Sequence, residues 1–296
     1  MTRTHPILPF LSAAAGICTF SLMDAVMKGA ALAAGVYAAL LLRCACGTVM
    51  MLPVWLLSRP RWPARAVLQV HLLRSAVAAA MATLFFLGVV RLPLAEAIAL
   101  SFIAPLIALY LAAVLLGEII QLKAVVASLL GLGGVVIIVA ARLDGDALNE
   151  QSVWGIGAVL ASAVLYAWNL VLQRQQAQIA GPQEIALFQN LLVAAILALA
   201  APWLLHWPGP AALRDIGLAA GLAVVSLLLL SWAYARAEAQ ALVPIEYTGF
   251  VWAALFGWLK FGEQVGMATL AGVVLIVAGS WIAARGGKIA TTVGCN

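Results

Sequence analysis

Apolar runs of about 20 residues recur along the whole chain, separated by short stretches with proline, glycine and charged residues. A helix of that length, at about 1.5 Å per residue, crosses the roughly 30 Å hydrocarbon core of a bilayer. The runs lack the alternation of apolar and polar residues expected of barrel strands, and helices satisfy every backbone hydrogen bond internally, as lipid requires. We therefore predict an all-α polytopic membrane protein with ten transmembrane helices. They fall at about residues 7–28, 34–57, 67–90, 93–116, 122–141, 152–173, 184–205, 211–235, 240–259 and 265–284.

Composition agrees with this pattern. The chain is 66% hydrophobic and 9% charged, with a mean hydropathy of +1.10, whereas about a quarter of the residues in soluble domains are charged. The first run has no clear cleavage site after it, so we expect it to be a retained helix. The net charge of +5 comes from residues scattered over the segment ends, which form no basic patch. Nucleic acid is therefore not an expected partner.

Loop charges predict the orientation, because Lys and Arg accumulate in short cytoplasmic loops. With the N-terminus inside, nine basic residues lie in the cytoplasm and five lie on the other face. The inner group is Arg3, Arg59, Arg61, Arg65, Lys123, Arg174, Arg236, Arg285 and Lys288, and the outer group is Lys28, Arg91, Arg142, Arg214 and Lys260. We expect both termini to be cytoplasmic, in a bacterial inner membrane.

The sequence also repeats itself at a shift of 145 positions. The shift aligns Gly117 and Glu118 with Gly262 and Glu263, Gly134 with Gly279, and Asp24 with Asn169. We predict a five-helix repeat over residues 1–145, a second over 146–290 and a tail over 291–296. Five is an odd number, so the second copy enters the membrane from the opposite side. Such inverted repeats are typical of secondary transporters that bind substrate between the halves near the membrane midplane.

The motifs Leu116-Gly117-Glu118 and Phe261-Gly262-Glu263, each closing a predicted helix before a glycine-rich one, resemble the drug/metabolite transporter superfamily with EamA-type repeats. Among its members the chain is most similar to the YddG-type exporters of aromatic amino acids. The resemblance implies export of small organic solutes from the cytoplasm by alternating access, without an ATP-binding part. Nucleotide sugars, amines and drugs are the alternative substrate classes within the superfamily.

The residues themselves also indicate that the chain does not hydrolyse ATP, because no G-x-x-x-x-G-K-[ST] motif is present. We expect a proton or substrate gradient, or facilitated diffusion, to drive transport, and we expect no cofactor and no metal. The expected partners are a small-molecule substrate and membrane lipid, and the expected state is a monomer. A channel would need a continuous polar stripe, and an intramembrane enzyme would need a nucleophile and base; the sequence favours neither.

Charged residues inside the spans are candidates for function, because each costs at least about 2.5 to 3.5 kcal/mol at the helix centre. Asp24 and Lys28 lie four apart on the first helix and are predicted to pair, as an interfacial ion pair or as a gate or coupling site. Asn169 is polar at the position equivalent to Asp24. Arg43 lies too deep to snorkel, and either attracts a substrate carboxylate or bonds to backbone carbonyls or Glu96.

Arg74 is expected to snorkel to the cytoplasmic surface. Glu246 and Tyr247 follow Pro244 in the ninth predicted helix, where proline permits a bend that could form a substrate site. Glu96 and Glu246 are each either proton carriers or structural salt-bridge partners.

Aromatic residues at mid-span depth have two interpretations. They either line an apolar cavity with a few polar groups, as a solute site requires, or simply fill the core. The predicted cavity residues are Arg43, Tyr166, Asn169, Glu246, Tyr247, Phe250 and Trp252, and the possible gate or coupling residues are Asp24, Lys28 and Glu96. We also predict that Gly117, Gly134, Gly262 and Gly279 serve close helix packing.

Overall fold

The structure is a computed structural model that describes residues 7–58, 62–104, 106–108, 110–111, 122–143, 150–234 and 245–286. These residues form eleven helices and no strand. The helices are α1 (Leu8–Ala34), α2 (Val36–Leu57), α3 (Arg65–Val89), α4 (Leu94–Ser101), α5 (Leu122–Leu143), α6 (Glu150–Ile179), α7 (Pro182–Ala198), α8 (Ala201–Leu204), α9 (Pro210–Tyr234), α10 (Thr248–Phe261) and α11 (Met267–Gly286). The all-helical prediction is confirmed for this part of the chain.

Five helices among the described residues are long and apolar enough to cross a membrane. They comprise α1, α2, α3 and the segments Glu150–Gln173 and Pro210–Leu230 of α6 and α9. Shorter apolar helical segments occur at Ser128–Ala141 in α5, Pro182–Ala198 (α7) and Met267–Gly279 in α11. The helix α7, at 1.5 Å per residue, covers about 26 Å, slightly less than the hydrocarbon core. The chain is a multi-pass membrane protein, and the count of ten spans stays a prediction.

Helix boundaries repeat at the predicted shift of 145 positions. When α3 (Arg65–Val89) is shifted by 145 positions, its first and last residues fall on the first and last residues of α9 (Pro210–Tyr234). The first residue of α5, Leu122, maps onto the first residue of α11, Met267. Proline begins both α7 and α9, where its missing N–H falls among donors that a helix start leaves unpaired anyway.

Helix packing follows the same exchange of halves. Under the shift, α1 corresponds to α6, α2 to α7, α3 to α9 and α5 to α11, whereas α4 maps onto residues 239–246, which precede α10. The packing of α1 on α9 is matched by that of α6 on α3. The helices α2 and α5 each pack on their own counterparts. These contacts therefore each have an equivalent with the halves exchanged.

The main apolar core draws on both halves, with Met27, Leu40 and Leu94 from the first and Ile216 and Ile276 from the second almost fully buried. Lipid supplies no hydrophobic force between helices, so small residues and close backbone approach become important.

Two glycines bring α5 and α11 into backbone contact. A Cβ added to Gly134 would lie 2.4 Å from the carbonyl oxygen of Gly272 and 2.7 Å from Cγ1 of Ile276. A Cβ added to Gly272 would lie 2.6 Å from the carbonyl oxygen of Gly134. The predicted packing role of Gly134 is therefore confirmed.

Gly262 has a different role from the one predicted. It ends α10 in the left-handed conformation, with φ of +67°, and a Cβ added there would meet nothing within 4 Å. Only glycine adopts this conformation without strain, so the residue is required for the helix end and not for close packing. Gly279 is buried in α11, and Gly117 lies outside the described residues.

Candidate substrate site

Several predicted site residues lie well inside their helices. Asp24 lies about 15 Å along α1 from its C-terminal end, and Asn169 lies about 15 Å along α6 from its C-terminal end. Arg43 lies about 10 Å along α2 from its start. Asn169 also lies within the apolar segment Glu150–Gln173, about 6 Å before the segment ends.

These helices bring polar side chains from both halves together. Asp24 and Arg43 attract each other across the α1–α2 interface. The hydroxyl of Tyr166 on α6 lies within electrostatic reach of Asp24 and Glu246. We call the whole group the central polar cluster: Asp24, Arg43, Arg74, Tyr166, Asn169, Glu246 and Tyr247.

Burial differs within the central polar cluster. Asp24, Arg74 and Asn169 are buried, whereas Arg43, Tyr166 and Tyr247 are half-buried and Glu246 is exposed. A charged pair and several hydroxyl and amide groups within membrane helices are expensive in lipid, so they need protein partners or water. Chemically, these guanidinium, hydroxyl and amide groups are hydrogen-bond donors of the kind that bind small polar solutes.

Arg43 is only weakly bonded. Its Nη2 lies 3.6 Å from Sγ of Cys44, and its buried Nε has no hydrogen-bond partner among the described residues. Among the described residues, Arg43 forms no bond to Glu96, which instead accepts a hydrogen bond from the hydroxyl of Thr269 at 3.5 Å. Asp24 is therefore the acidic neighbour of Arg43.

Arg74 is buried at 8% exposure, so the expectation that it snorkels to the surface is wrong. Its Nε donates to Oδ1 of Asn169 at 3.2 Å, and its Nη1 donates to Oε1 of Gln176. Gln176 contacts Nδ1 of His71, and Nε2 of His71 lies 3.0 Å from Oε1 of Glu184. We call this chain of bonds between α3, α6 and α7 the Arg74 network.

The hydrogen-bond donors of the Arg74 network determine which ring nitrogen of His71 carries the proton. Arg74 can only donate, so Gln176 must present its oxygen to Arg74 and its amino group to Nδ1 of His71. Nδ1 is then an acceptor, and Nε2 carries the proton that is donated to Glu184. Sequence reasoning missed His71, Gln176 and Glu184. The available signal was the spacing of three residues between His71 and Arg74, which places both on one face of α3.

Lys28 takes a different partner from the one predicted. Its Nζ donates to Oε1 of Glu263, at the end of α10, and to the carbonyl oxygen of Leu92 at 2.6 Å. The predicted pairing with Asp24 is wrong, because Glu263 is already anchored: its Oε2 accepts the first N–H of α4, from Leu94, at 2.7 Å. Such an N–H has no partner within its own helix. The ring of Phe261 lies 5.1 Å from Nζ of Lys28.

Glu96 belongs to this second group. It is buried and acts electrostatically on Lys28. Lys28, Glu96, Glu263 and Thr269, which we call the ion-pair cluster, join α1 and α4 of the first half to α10 and α11 of the second. The structure thus separates the three predicted gate residues, since Asp24 lies in the central polar cluster.

The predicted aromatic cavity residues also lie in different parts of the structure. The ring of Tyr247 meets that of Phe102 edge-to-face at 5.2 Å between centroids, beside the central polar cluster. Phe250 is buried in the main core, and Trp252 stacks on Phe256 at 6.2 Å between centroids. In the region of the predicted helix over 240–259, Ile245 and Glu246 are helical, and a turn at Tyr247 separates them from α10; residues 240–244, with Pro244, lie outside the described residues.

Two hollows of about 540 and 530 Å³ lie at helix ends. The first surrounds the α1–α2 turn at Gly35, and the second lies between the start of α1 and the end of α9. None of the predicted site residues lines either hollow. The predicted central cavity therefore stays a prediction.

One family of known proteins matches both halves of this chain. The EamA-like transporter family matches residues 8–140 and again residues 153–285. The two matches are offset by 145 positions, the shift at which the helix boundaries also repeat.

Two bacterial relatives carry named functions. The pseudopaline exporter CntI of Pseudomonas aeruginosa (strain UCBPP-PA14) is 31% identical over 264 residues, which is 88% of this chain and 89% of the exporter. A riboflavin transporter of Rhizobium johnstonii is 29% identical over 213 residues, which is 71% of this chain and 68% of that protein.

A solved crystal structure resembles this chain with a TM-score of 0.64. The match covers 96% of this chain and 99% of the other chain, at 22% sequence identity. At 22% sequence identity, this similarity shows a shared fold.

Proposed function

Because the chain belongs to the EamA-like transporter family, we propose that it is a secondary transporter that exports small organic solutes. Amino acids with aromatic or other apolar side chains, together with related metabolites, are the proposed substrates. The observation that carries this proposal is the central polar cluster, to which both halves contribute residues. The relatives that export pseudopaline and transport riboflavin support a small-metabolite substrate.

The proposed architecture is ten transmembrane helices in two inverted five-helix repeats. The repeated helix boundaries and the exchange of packing partners between halves support it. Inverted repeats allow alternating access, because each half can adopt the shape of the other and so reverse the side on which the site opens. We place both termini in the cytoplasm of a bacterial cell.

In this proposal the solute contacts Arg43, Tyr166, Asn169, Glu246 and Tyr247, with Phe250 and Trp252 as apolar neighbours. Lys28 and Glu96 belong to a gate between the halves, and Asp24 is a coupling residue beside Arg43. The location of Tyr166 within reach of Asp24 and Glu246 supports this grouping.

Transport by purified protein tests the proposal. The protein is reconstituted in liposomes, and uptake of labelled amino acids, sugars and amines is compared with uptake by empty vesicles. We expect saturable uptake of at least one apolar amino acid. Uptake of sugars or amines alone would assign a different substrate class, and no uptake above that of empty vesicles for any solute would contradict a transport function for these solutes.

A further inference from the structure

Arg74 is a buried cation whose bonds all go to neutral groups. It is 8% exposed, and its two hydrogen bonds reach the side-chain amides of Asn169 and Gln176. Within the part of the chain that the structure describes, no carboxylate bonds to it. The titratable side chain that acts on it electrostatically is the phenol of Tyr166.

Two other cationic side chains of this region, the buried Lys28 and the half-buried Arg43, are different. Lys28 has the carboxylate of Glu263 as its direct partner, and Arg43 has Asp24 as an electrostatic neighbour. Glu184 is the nearest acid along the Arg74 network, but Gln176 and His71 stand between it and Arg74. A buried charge without a counter-charge is costly, and arginines in apolar surroundings are normally paired.

The guanidinium of Arg74 can form further hydrogen bonds. An arginine side chain has five N–H donors, and the bonds from Nε and Nη1 use two of them. Both N–H groups of Nη2 and one of Nη1 remain, enough for a two-pronged bond to a carboxylate. Because His71 fixes the orientation of the Gln176 amide, the guanidinium is held in one position before any solute arrives.

We propose that Arg74 binds the carboxylate group of the transported solute. This inference rests on the proposed transport function and adds the group that selects the solute. The carboxylate supplies the missing counter-charge, with Tyr166 beside it as a hydroxyl partner. Arg43, already faced by Asp24, then contacts the solute without being the partner of its carboxylate.

The test compares two probes that differ in the carboxylate alone: L-phenylalanine and L-phenylalaninamide, both labelled, in proteoliposomes. We expect Arg74→Gln to lower phenylalanine transport about tenfold or more, while phenylalaninamide transport changes less than about twofold. We expect Arg74→Lys, which keeps the charge but not the planar fork, to raise KM for phenylalanine alone. Because lysine retains the buried charge, this second variant gives a result even where the glutamine variant folds poorly.

Arg43→Gln is the matched control, because it removes a guanidinium at similar depth that has an acidic neighbour. We expect it to lower transport of the two probes equally. Equal loss of both probes in Arg74→Gln and in Arg74→Lys, or no loss in either variant, overturns the Arg74 proposal while leaving the transport function intact. A wild-type protein that moves neither probe instead contradicts the proposed amino-acid transport, and the Arg74 proposal falls with it.

Discussion

Lys28 on α1 and Glu263, just after the end of α10, form a partly buried ion pair between residues 235 positions apart. The pair links the two halves of the chain, and Glu263 also holds the first N–H of α4. One carboxylate thus fixes the relative position of three helices. A contact of this kind must break if the halves separate on that side of the membrane, so it is suited to a gate.

We expect Lys28→Met and Glu263→Gln each to destabilise the protein, because either change leaves a largely buried group without its ionic partner. Breaking a fully buried pair costs about 3 kcal/mol or more, and the partial exposure of Glu263 should reduce the cost here, whereas removing both charges is often nearly neutral. The double variant should therefore melt at a higher temperature than either single variant. Thermal unfolding in detergent measures this, and losses that simply add in the double variant would show that the two residues do not depend on each other.

Gly134→Ala should lower the melting temperature clearly, because its Cβ would overlap the backbone of α11 at Gly272. The neighbouring Gly133 provides the control, since a Cβ there meets nothing within 4 Å. Gly133→Ala should be neutral or stabilising by up to about 1 kcal/mol, as alanine is the better helix former. Equal stability of the two variants would argue against the close crossing of α5 and α11.

The predicted orientation can be tested at Cys295, in the C-terminal tail predicted to lie in the cytoplasm. A maleimide that cannot cross membranes should leave Cys295 unlabelled in intact cells and label it after permeabilisation. Cys18, Cys44 and Cys46 lie within helices, so a variant without Cys295 measures their background. Labelling of Cys295 from outside intact cells would reverse the assignment.

The sequence predicted the helical class and the repeat well, for physical reasons. Apolar runs of membrane length are a local signal, and lipid leaves the backbone few alternatives to a helix. The shift of 145 positions is likewise visible without tertiary information, and the boundaries of α3 and α9 follow it at both ends.

The tertiary partners of individual charged residues could not be predicted in the same way. The pattern of charges on α1 offered Asp24 as the partner of Lys28, but Glu263 lies far away in the chain and reaches Lys28 through the packing of α10 on α1. Arg74 could snorkel on an isolated helix, and only the amides of α6 explain its burial. Gly262 shares a motif with Gly117, yet the motif alone does not distinguish a helix end from a close helix crossing.

Solute counterflow tests the central claim, a single site between the halves that opens to the two sides in turn. Proteoliposomes are loaded with a high concentration of unlabelled phenylalanine and diluted into a trace of labelled phenylalanine. We expect the concentration of labelled phenylalanine inside the vesicles to rise transiently above its concentration outside. Each outward movement of unlabelled solute leaves the binding site open to the outside, where it can take up label. Label that only rises to the outside concentration, at a rate independent of the internal solute, would contradict alternating access and indicate a channel.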